Sequence, residues 1–290
     1  MSETWTVLSL LNWAAPYLEK HNSTSPRLDA ELLLAKVLDC RRLDLYLRFD
    51  KPLAQIELQN FKELILSRRQ GVPVAYLLGS KEFWSLEFIV NEAVLVPRPE
   101  TEHLIEAALE FIENNFPTGG PVLDIGTGCG NIILTLAHSL AELADFSGMG
   151  VDIRPQALEV ARENARNLAL ETVTWRTSDL FQALNPATDK FDLIVSNPPY
   201  ITSHDMQTLP HEVLREPATA LNGGPDGLYF YRQISAQAKT FLNPNGGLIF
   251  EVGDGQADAV KKILASNGYS AISTKYDLAH CERVVIGIFL

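Results

Sequence analysis

The feature that most constrains the fold is a regular alternation of short apolar segments and helical patterns after Pro97-Arg98-Pro99. A further helical pattern, with apolar residues at helical spacing over 104–112, precedes the first apolar segment. Strand–helix alternation of this kind predicts a mostly parallel sheet that helices cover on both faces. The candidate strands are at 121–125, 149–153, 173–177, 191–196, 247–252, 270–276 and 283–289.

The first seventy or so residues have a different pattern, which predicts helices alone. Ser25-Pro26 is a favourable start for one helix. Another has Leu58, Phe61 and Ile65 on one face and stops at Gly71. We expect these helices to form a small all-helical domain at 1–78, with its own core of leucines and the aromatic residues Trp5, Trp13 and Tyr17.

Between the two patterns lies a stretch rich in aromatic and β-branched residues. Leu86, Phe88 and Val90 alternate, and Asn91-Glu92 interrupts the run. We predict a β-hairpin linker over 79–97, which connects the helical domain to an α/β domain at 98–290.

Composition limits the classes of partner. The 290 residues carry a net charge of −12, which argues against a protein that follows nucleic-acid phosphates and favours a small-molecule or protein partner. The three cysteines have neither disulfide nor metal-ligand spacing, so no metal site is predicted and a reducing compartment is favoured. The N-terminus, with Glu3 and no early Lys or Arg, lacks a leader pattern, and no apolar run is long enough for a membrane span. We predict a cytoplasmic protein that does not bind membranes.

A glycine-rich loop, Gly126-Thr127-Gly128-Cys129-Gly130, directly follows the first predicted strand and precedes a helix. Such a loop lets the backbone approach a ligand and directs helix N-terminal N–H groups at an anion, although a plain structural turn is the alternative. Asp152 ends the next predicted strand, where an acidic side chain binds ribose hydroxyls in nucleotide-binding α/β folds. Together they favour a bound nucleoside, with Asp179 either near its base or in a solvated loop.

The second chemical motif is Asn197-Pro198-Pro199-Tyr200, at the end of the apolar run 191–196. Each proline forces the residue before it into an extended conformation, and neither proline has an N–H to donate. The segment is therefore a stiff bracket that presents the Asn197 carboxamide and the Pro198 carbonyl side by side. We interpret it as a clamp for a planar NH2 group, with Tyr200 covering the face of that group.

These motifs resemble those of class I S-adenosylmethionine-dependent methyltransferases. The loop with Asp124-Ile125 before it is similar to their motif I, Asp152 to their ribose-binding acid, and Asn197-Pro198-Pro199-Tyr200 to the catalytic motif of amino-methyltransferases. The last motif occurs in enzymes that methylate adenine or cytosine amines and in those that methylate glutamine amides.

Other segments distinguish between these substrates. The chain resembles the peptide chain release factor glutamine methyltransferases, the HemK/PrmC family, over essentially its whole length. The segments that carry this resemblance are 26–31, 71–79, 96–102, 216–217, 223–227 and 250–253.

The resemblance implies a Rossmann-like seven-stranded sheet with an antiparallel last strand, a helical N-terminal domain and a β-hairpin between them. It implies that S-adenosylmethionine binds to Gly126, Thr127, Gly128, Cys129, Gly130, Asp152, Asp179, Leu180 and Asn197. Some relatives have a tryptophan at the position of Leu180. The substrate glutamine is then held by Asn197, Pro198, Pro199 and Tyr200, with catalytic roles for Asn197, Pro198 and Tyr200.

The implied reaction is N5-methylation of the glutamine in the Gly-Gly-Gln loop of release factors, with docking by the N-terminal domain. The alternatives are methylation of a ribosomal-protein glutamine, more remotely methylation of adenine N6 in DNA, and a cofactor-binding module without catalysis. An acidic chain with no basic groove argues against DNA, and no direct contact with nucleic acid is predicted.

Several polar residues near these motifs have two interpretations. Arg98 and Glu100 shape the entrance of the site or are merely solvated, and Glu251 is a site residue or a charge at the end of a strand. His204 and His211 follow the clamp, but loop histidines are usually structural or exposed, so neither is predicted to act as a base.

Overall fold

The computed structural model describes residues 4–290, so the first three, including Glu3, lie outside the described residues. It divides into two compact units, one formed by the chain up to Ser80 with Pro210–Arg215, and the other by Lys81–Leu209 with Glu216–Leu290. The first unit therefore includes a short segment from far along the sequence, which the contiguous range 1–78 leaves out. No helix in the described part of the chain is long and apolar enough to cross a membrane.

The first unit is helical, as its sequence predicts. Thr6 caps the first helix by accepting a hydrogen bond from the backbone N–H of Ser9 (3.3 Å), and Pro26 occupies the first turn of the second. Its helices are α1 Val7–Glu19, α2 Pro26–Val37, α3 Arg42–Tyr46, α4 Gln55–Arg69 and α5 Val74–Leu78.

Leucines from α1 and α2 pack with Phe61 and Ile65 of α4 to form the core of this unit. Trp5 and Tyr17 pack against that core, whereas Trp13, predicted to be internal, is 44% exposed and stacks on Tyr17 with 5.1 Å between ring centroids. Although Trp13 is exposed, its stacking on the Tyr17 ring removes part of its apolar surface from water.

A buried cation, Arg68 of α4, joins distant parts of the first unit. Its Nε donates to Asp29 Oδ2 (2.7 Å), and one of its terminal nitrogens lies 2.6 Å from Glu212 Oε2. Because the Arg68 side chain is only 5% exposed, its charge has to be compensated inside the unit, and both carboxylates do so. The ion pair with Glu212 is one of the contacts that join Pro210–Arg215 to the first unit.

The second unit has the predicted alternation of strands and helices. Its helices are α6 Glu102–Asn115, α7 Asn131–Ser139, α8 Pro155–Asn167, α9 Tyr229–Ala238 and α10 Ala257–Ser266. After a hairpin formed by β1 Ser80–Phe83 and β2 Leu86–Ile89, its strands are β3 Pro121–Ile125, β4 Ser147–Asp152, β5 Thr174–Thr177, β6 Phe191–Ser196, β7 Leu242–Glu251, β8 Ser270–Tyr276 and β9 Glu282–Ile288.

The seven strands β3 to β9 form one sheet in the order β5-β4-β3-β6-β7-β9-β8, and only β9 runs antiparallel to its neighbours. Alternate strand residues face opposite sides, so Val122 contributes to a core with α6 and α7 while Leu123 contributes to a core with α9 and α10. The predicted class I methyltransferase sheet, covered on both faces, is thereby confirmed.

The hairpin lies inside the predicted range 79–97, and the sequence did not indicate where it turns. The chain turns at Trp84-Ser85, and both turn residues have positive φ angles of 53° and 59°. Two positive φ angles in a two-residue turn match the twist of the flanking strands, although no Gly or Asn marks this turn. The alternation of Leu86, Phe88 and Val90 is nonetheless real, since Phe88 and Val90 are buried and Leu86 packs against the core.

Ser85→Gly should stabilise the protein by about 1 kcal/mol, because glycine adopts the left-handed conformation without a steric penalty. Denaturant unfolding of the variant measures this difference. Ser67→Gly, inside helix α4, is the matched control and should be destabilising. Equal effects of the two substitutions would contradict the strain at Ser85.

Candidate active site

The glycine-rich loop connects β3 to α7, and its three glycines have positive φ angles of 73°, 56° and 83°. A Cβ at Gly126 or Gly128 would meet no atom within 4 Å, so open space borders the backbone there. A Cβ at Gly130 would lie 2.9 Å from the Trp175 ring. The first two glycines therefore leave room for a ligand, whereas the third allows close packing inside the unit.

Asp152, the last residue of β4, holds this loop in place. Its Oδ2 accepts a hydrogen bond from the Gly128 N–H (3.0 Å), and its Oδ1 accepts one from the Arg154 N–H (2.9 Å). Burial raises the pKa of Asp152, although the hydrogen bonds from Arg154 and Gly128 hold the rise back. Each oxygen retains acceptor capacity, so the carboxylate can receive further hydroxyl donors from a ligand.

Asp124 of β3 is a second carboxyl at the loop, and it was not among the predicted site residues. It is fully buried, its Oδ2 accepts a hydrogen bond from the Thr127 hydroxyl (2.6 Å), and within the described residues its Oδ1 has no partner. Desolvation raises its pKa to about 7. An acidic residue inside the otherwise apolar segment Val122-Leu123-Asp124-Ile125 is the sequence signal that points to it.

A cavity of about 440 Å³ opens at the carboxyl ends of β3, β4 and β6. Its wall brings together most of the predicted site residues, namely Gly126, Gly128, Asp152, Asp179, Leu180, Asn197, Pro198 and Pro199. Sequence reasoning did not assign the rest of the wall, which includes Leu95, Ile153, Ala157, Ala218, Phe230 and Ile234. The cavity is thus largely apolar with a smaller share of polar groups, as small-molecule sites commonly are.

Four predicted residues do not line this cavity in the described structure: Thr127, Cys129, Gly130 and Tyr200. Thr127 bonds to Asp124, and the carbonyl of Cys129 accepts a hydrogen bond from Asn164 (2.9 Å). Burial raises the pKa of the Cys129 thiol to about 12, so this side chain is no nucleophile. Thr127, Cys129 and Gly130 thus shape the loop from within, whereas Tyr200 belongs to the clamp.

Leu180 has a positive φ of 49°, which is unusual for a residue other than glycine. The backbone around it is held by Ser178, whose hydroxyl donates to the Leu180 carbonyl (2.7 Å) and accepts from the Ala183 N–H (3.0 Å). This turn places Leu180 in the wall of the cavity.

The clamp begins immediately after β6, and two buried groups lie beside Asn197. Its Nδ2 donates to the Thr101 hydroxyl (3.3 Å), and hydrogen bonding from Thr101 and Asn197 acts on the carboxyl of Glu251. Desolvation raises the pKa of Glu251 to about 7 despite these hydrogen bonds. Glu251 was left open between two interpretations, and the structure places it next to the clamp at the end of β7.

Tyr200 is held by its backbone, whose carbonyl accepts from Gln256 Nε2 (3.0 Å). Burial and the nearby charge of Glu251 raise the pKa of Tyr200 to about 12, so the phenol stays neutral near pH 7. A neutral aromatic ring beside the clamp suits contact with a planar group.

The remaining polar candidates have structural surroundings. Arg98 pairs with Glu216, and the same carboxylate accepts a hydrogen bond from the Val96 N–H (3.0 Å), so the 96–98 segment is tied to the loop before Pro217. His211 belongs to the first unit, where it lies against Gly71, and His204 is exposed. Neither histidine lines the cavity wall as described above.

Comparison with known proteins gives matches over both units. Residues 9–79 match the family model for the PrmC N-terminal domain, and residues 118–283 match the family model for a methyltransferase domain. A protein of Rhodopirellula baltica named release factor glutamine methyltransferase is 42% identical over 97% of this chain and 95% of its own length. Proteins with the same name from Geobacter sulfurreducens and Vibrio cholerae are 40% and 42% identical over 98% and 97% of this chain, and over 97% and 96% of their own lengths.

Solved structures support the fold alone, because their sequence identities are low. A methyltransferase from Pyrococcus furiosus superimposes with a TM-score of 0.51 at 20% identity, covering 72% of this chain and 91% of that one. The catalytic domain of hMettl16 superimposes with a TM-score of 0.55 at 15% identity, covering 81% and 82%.

The raised pKa values of Glu251 and Asp124 predict that stability decreases as the pH rises through about 7. The folded protein retains protons that the unfolded chain releases at lower pH, so the stabilisation is complete below the unfolded pKa values and is lost above the folded ones. Each group contributes a slope of at most about 1.4 kcal/mol per pH unit.

Glu251→Gln should flatten this dependence, because an amide does not titrate. Denaturant unfolding of both proteins between about pH 5.5 and about pH 8 measures the two slopes. Parallel curves for the variant and the wild type would show that Glu251 titrates normally in the folded state.

Proposed function

The chain belongs to the release factor glutamine methyltransferases, and we propose that it methylates the side-chain amide nitrogen of the glutamine in the Gly-Gly-Gln motif of a peptide chain release factor. It is a methyltransferase by its family. The observation that carries the proposal is that the Asn197-Pro198-Pro199 bracket and the Gly126–Asp152 pair open into one cavity. An amide clamp and a nucleoside cradle in the same cavity suit methyl transfer to a planar NH2 group.

We further propose S-adenosylmethionine as the methyl donor, since the residues present fit its parts. The open space at Gly126 and Gly128 allows close approach to their backbone, and Asp152 has acceptor capacity for ribose hydroxyls. Leu180 and the other apolar residues of the wall can pack against an adenine ring. When bound, S-adenosylmethionine supplies an electrophilic methyl group on a positively charged sulfur.

An amide nitrogen is a weak nucleophile because its lone pair is delocalised into the carbonyl group, and the clamp can compensate for this weakness. Asn197 Oδ1 and the Pro198 carbonyl, by accepting both N–H groups of the substrate amide, favour pyramidal nitrogen and fix the direction of its lone pair. Rigid positioning of this kind contributes roughly 7–11 kcal/mol in well-oriented systems.

No side chain of the clamp is suited to remove a proton before methyl transfer. The pKa of Tyr200 is raised to about 12, so this group holds its proton at neutral pH. We therefore propose that the amide proton is lost during or after transfer, when the methylated nitrogen is far more acidic.

The finer choice of substrate follows from charge as well as from family. A ribosomal-protein glutamine fits the same clamp and is the second candidate. DNA adenine is disfavoured by the net charge of −12, because repulsion of phosphates opposes binding. The N-terminal helical unit, which matches the PrmC N-terminal domain, is proposed as the part that docks the release factor.

Asp152→Ala should weaken S-adenosylmethionine binding by at least about tenfold, because the variant loses acceptors for the ribose and for the Gly128 N–H. Titration calorimetry measures the affinity. Asp145→Ala, a remote and exposed carboxylate, is the matched control and should bind normally. Unchanged affinity in Asp152→Ala would remove the ribose role.

The decisive experiment is transfer of a labelled methyl group to purified release factor, ribosomal proteins or DNA. We expect label on the release factor, lost when the Gly-Gly-Gln glutamine is replaced by alanine. Asn197→Ala should abolish transfer while retaining part of the cofactor affinity, because the clamp loses its side-chain acceptor. Label on DNA alone, or near-normal turnover by Asn197→Ala, would contradict the proposal.

A further inference from the structure

Behind the clamp lies a buried polar group of three side chains: Asn197, Thr101 and Glu251. Thr101 ends a turn of 3-10 helix, Pro99–Thr101, and Glu251 ends β7. Thr101 is 2% exposed and Glu251 is 3% exposed, so water has almost no access to either. Within the described residues Glu251 Oε2 accepts no hydrogen bond, which is costly for a buried carboxyl oxygen and calls for a role.

The hydrogen bonds of this group run in one direction. Asn197 Nδ2 donates to the Thr101 oxygen at 3.3 Å. The Thr101 hydroxyl and the Asn197 amide both hydrogen-bond to the Glu251 carboxyl, and both bonds favour its ionised form. An ionised carboxylate only accepts, whereas a hydroxyl both donates and accepts. Ionised Glu251 thus makes Thr101 its donor, which leaves the Thr101 oxygen free to accept from Asn197.

This direction decides which end of the Asn197 carboxamide faces the cavity. With Nδ2 turned towards Thr101 and Glu251, Oδ1 is left for the substrate. If the acceptor at position 251 were absent, the Thr101 hydroxyl would be free to donate to Asn197 Oδ1 instead. The carboxamide would then be stable in the reversed orientation and would present its NH2 group to the substrate.

We propose that Glu251, both directly and through Thr101, is a positioning residue that fixes the Asn197 carboxamide with its oxygen towards the substrate. The inference rests on the proposed function and extends it to substrate specificity. An outward oxygen accepts from the NH2 group of glutamine and repels the carboxylate of glutamate. An outward NH2 group has the opposite preference, so the buried carboxyl selects the amide over the acid.

Other charged or titratable groups act on the same site. Glu100 raises the pKa of Glu251, and Arg283 lowers it. The charge of Glu251 in turn raises the pKa values of Tyr200 and Tyr231. Loss of the Glu251 charge alone can therefore favour binding of glutamate without any change in the orientation of Asn197. A test must therefore distinguish the effect of the Glu251 charge from the effect of the hydrogen bonds that orient Asn197.

Two substitutions at Glu251 provide this separation. Glu251→Gln removes the charge and keeps an acceptor oxygen for Thr101. Glu251→Met removes the charge and the acceptor oxygen, and its side chain has a similar length. Burial of an incompletely paired carboxyl is itself costly, so Glu251→Met should fold, and its thermal unfolding checks this. Substitutions at Thr101 test the same hydrogen bonds independently. Thr101→Val removes the hydroxyl, and Thr101→Ser is the control that keeps it.

The readout is selectivity, measured on purified release factor with glutamine or glutamate in its Gly-Gly-Gln motif. Methylation of the glutamine form gives kcat/KM, and inhibition by the glutamate form gives its inhibition constant. In Glu251→Met we expect kcat/KM to fall by about tenfold or more, and inhibition by the glutamate form to strengthen by a similar factor. Glu251→Gln and Thr101→Ser should stay within about threefold of wild type in both measurements.

Thr101→Val should shift in the same direction as Glu251→Met but by less, because Glu251 still accepts from the Asn197 amide, and its affinity for S-adenosylmethionine by calorimetry should be unchanged. If Glu251→Gln and Glu251→Met gain equal affinity for the glutamate form, the effect is charge alone and the inference is wrong. Reduced activity of Glu251→Met and Thr101→Val with unaltered selectivity would also overturn it, since that result indicates general damage. Absence of methylation by the wild type instead defeats the proposed function, which is a separate outcome.

Discussion

The site depends on the order of the parallel strands. From β3 the chain proceeds outwards through β4 to β5 and then returns to form β6 on the other side of β3. Connections therefore leave β3 and β6 in opposite directions, and a crevice opens at their carboxyl ends. The Ser196 hydroxyl joins those ends by donating to the Ile125 carbonyl (2.7 Å). The glycine-rich loop and the clamp consequently share one cavity although about 70 residues separate them.

Two carboxyl groups hold the loops around the crevice in place. Asp152 connects the end of β4 to the loop that follows β3, and Glu251 brings the end of β7 next to the clamp that follows β6. Asp152 is half-buried, whereas Glu251 is only 3% exposed, and in such a buried place hydrogen bonds are stronger and unpaired groups more costly. The rigidity of the site thus depends on contacts along the whole carboxyl edge of the sheet, and no single motif provides it alone.

The sequence predicted the parts of the site that are local. Glycines after a strand and prolines after an asparagine constrain their own backbone, so the loop and the clamp were recognisable, and so were the seven strands. The roles of Thr101 and Glu251 depend on a contact across 150 residues, which no local pattern contains. The position of the hairpin turn was not predicted because Trp84-Ser85 has no turn signal, and Trp13 was placed inside because hydrophobicity does not indicate which face of a helix is covered.

The inclusion of Pro210–Arg215 in the helical unit has a consequence for dissecting the protein. A fragment that ends at Ser80 would contain Arg68 and Asp29 but not Glu212, so a guanidinium with 5% exposure would keep one carboxylate in place of two. Arg215 would likewise no longer donate to the Gln70 carbonyl (2.8 Å). The compact helical unit is therefore discontinuous in sequence, and an excised N-terminal region would lack six residues that pack within that unit.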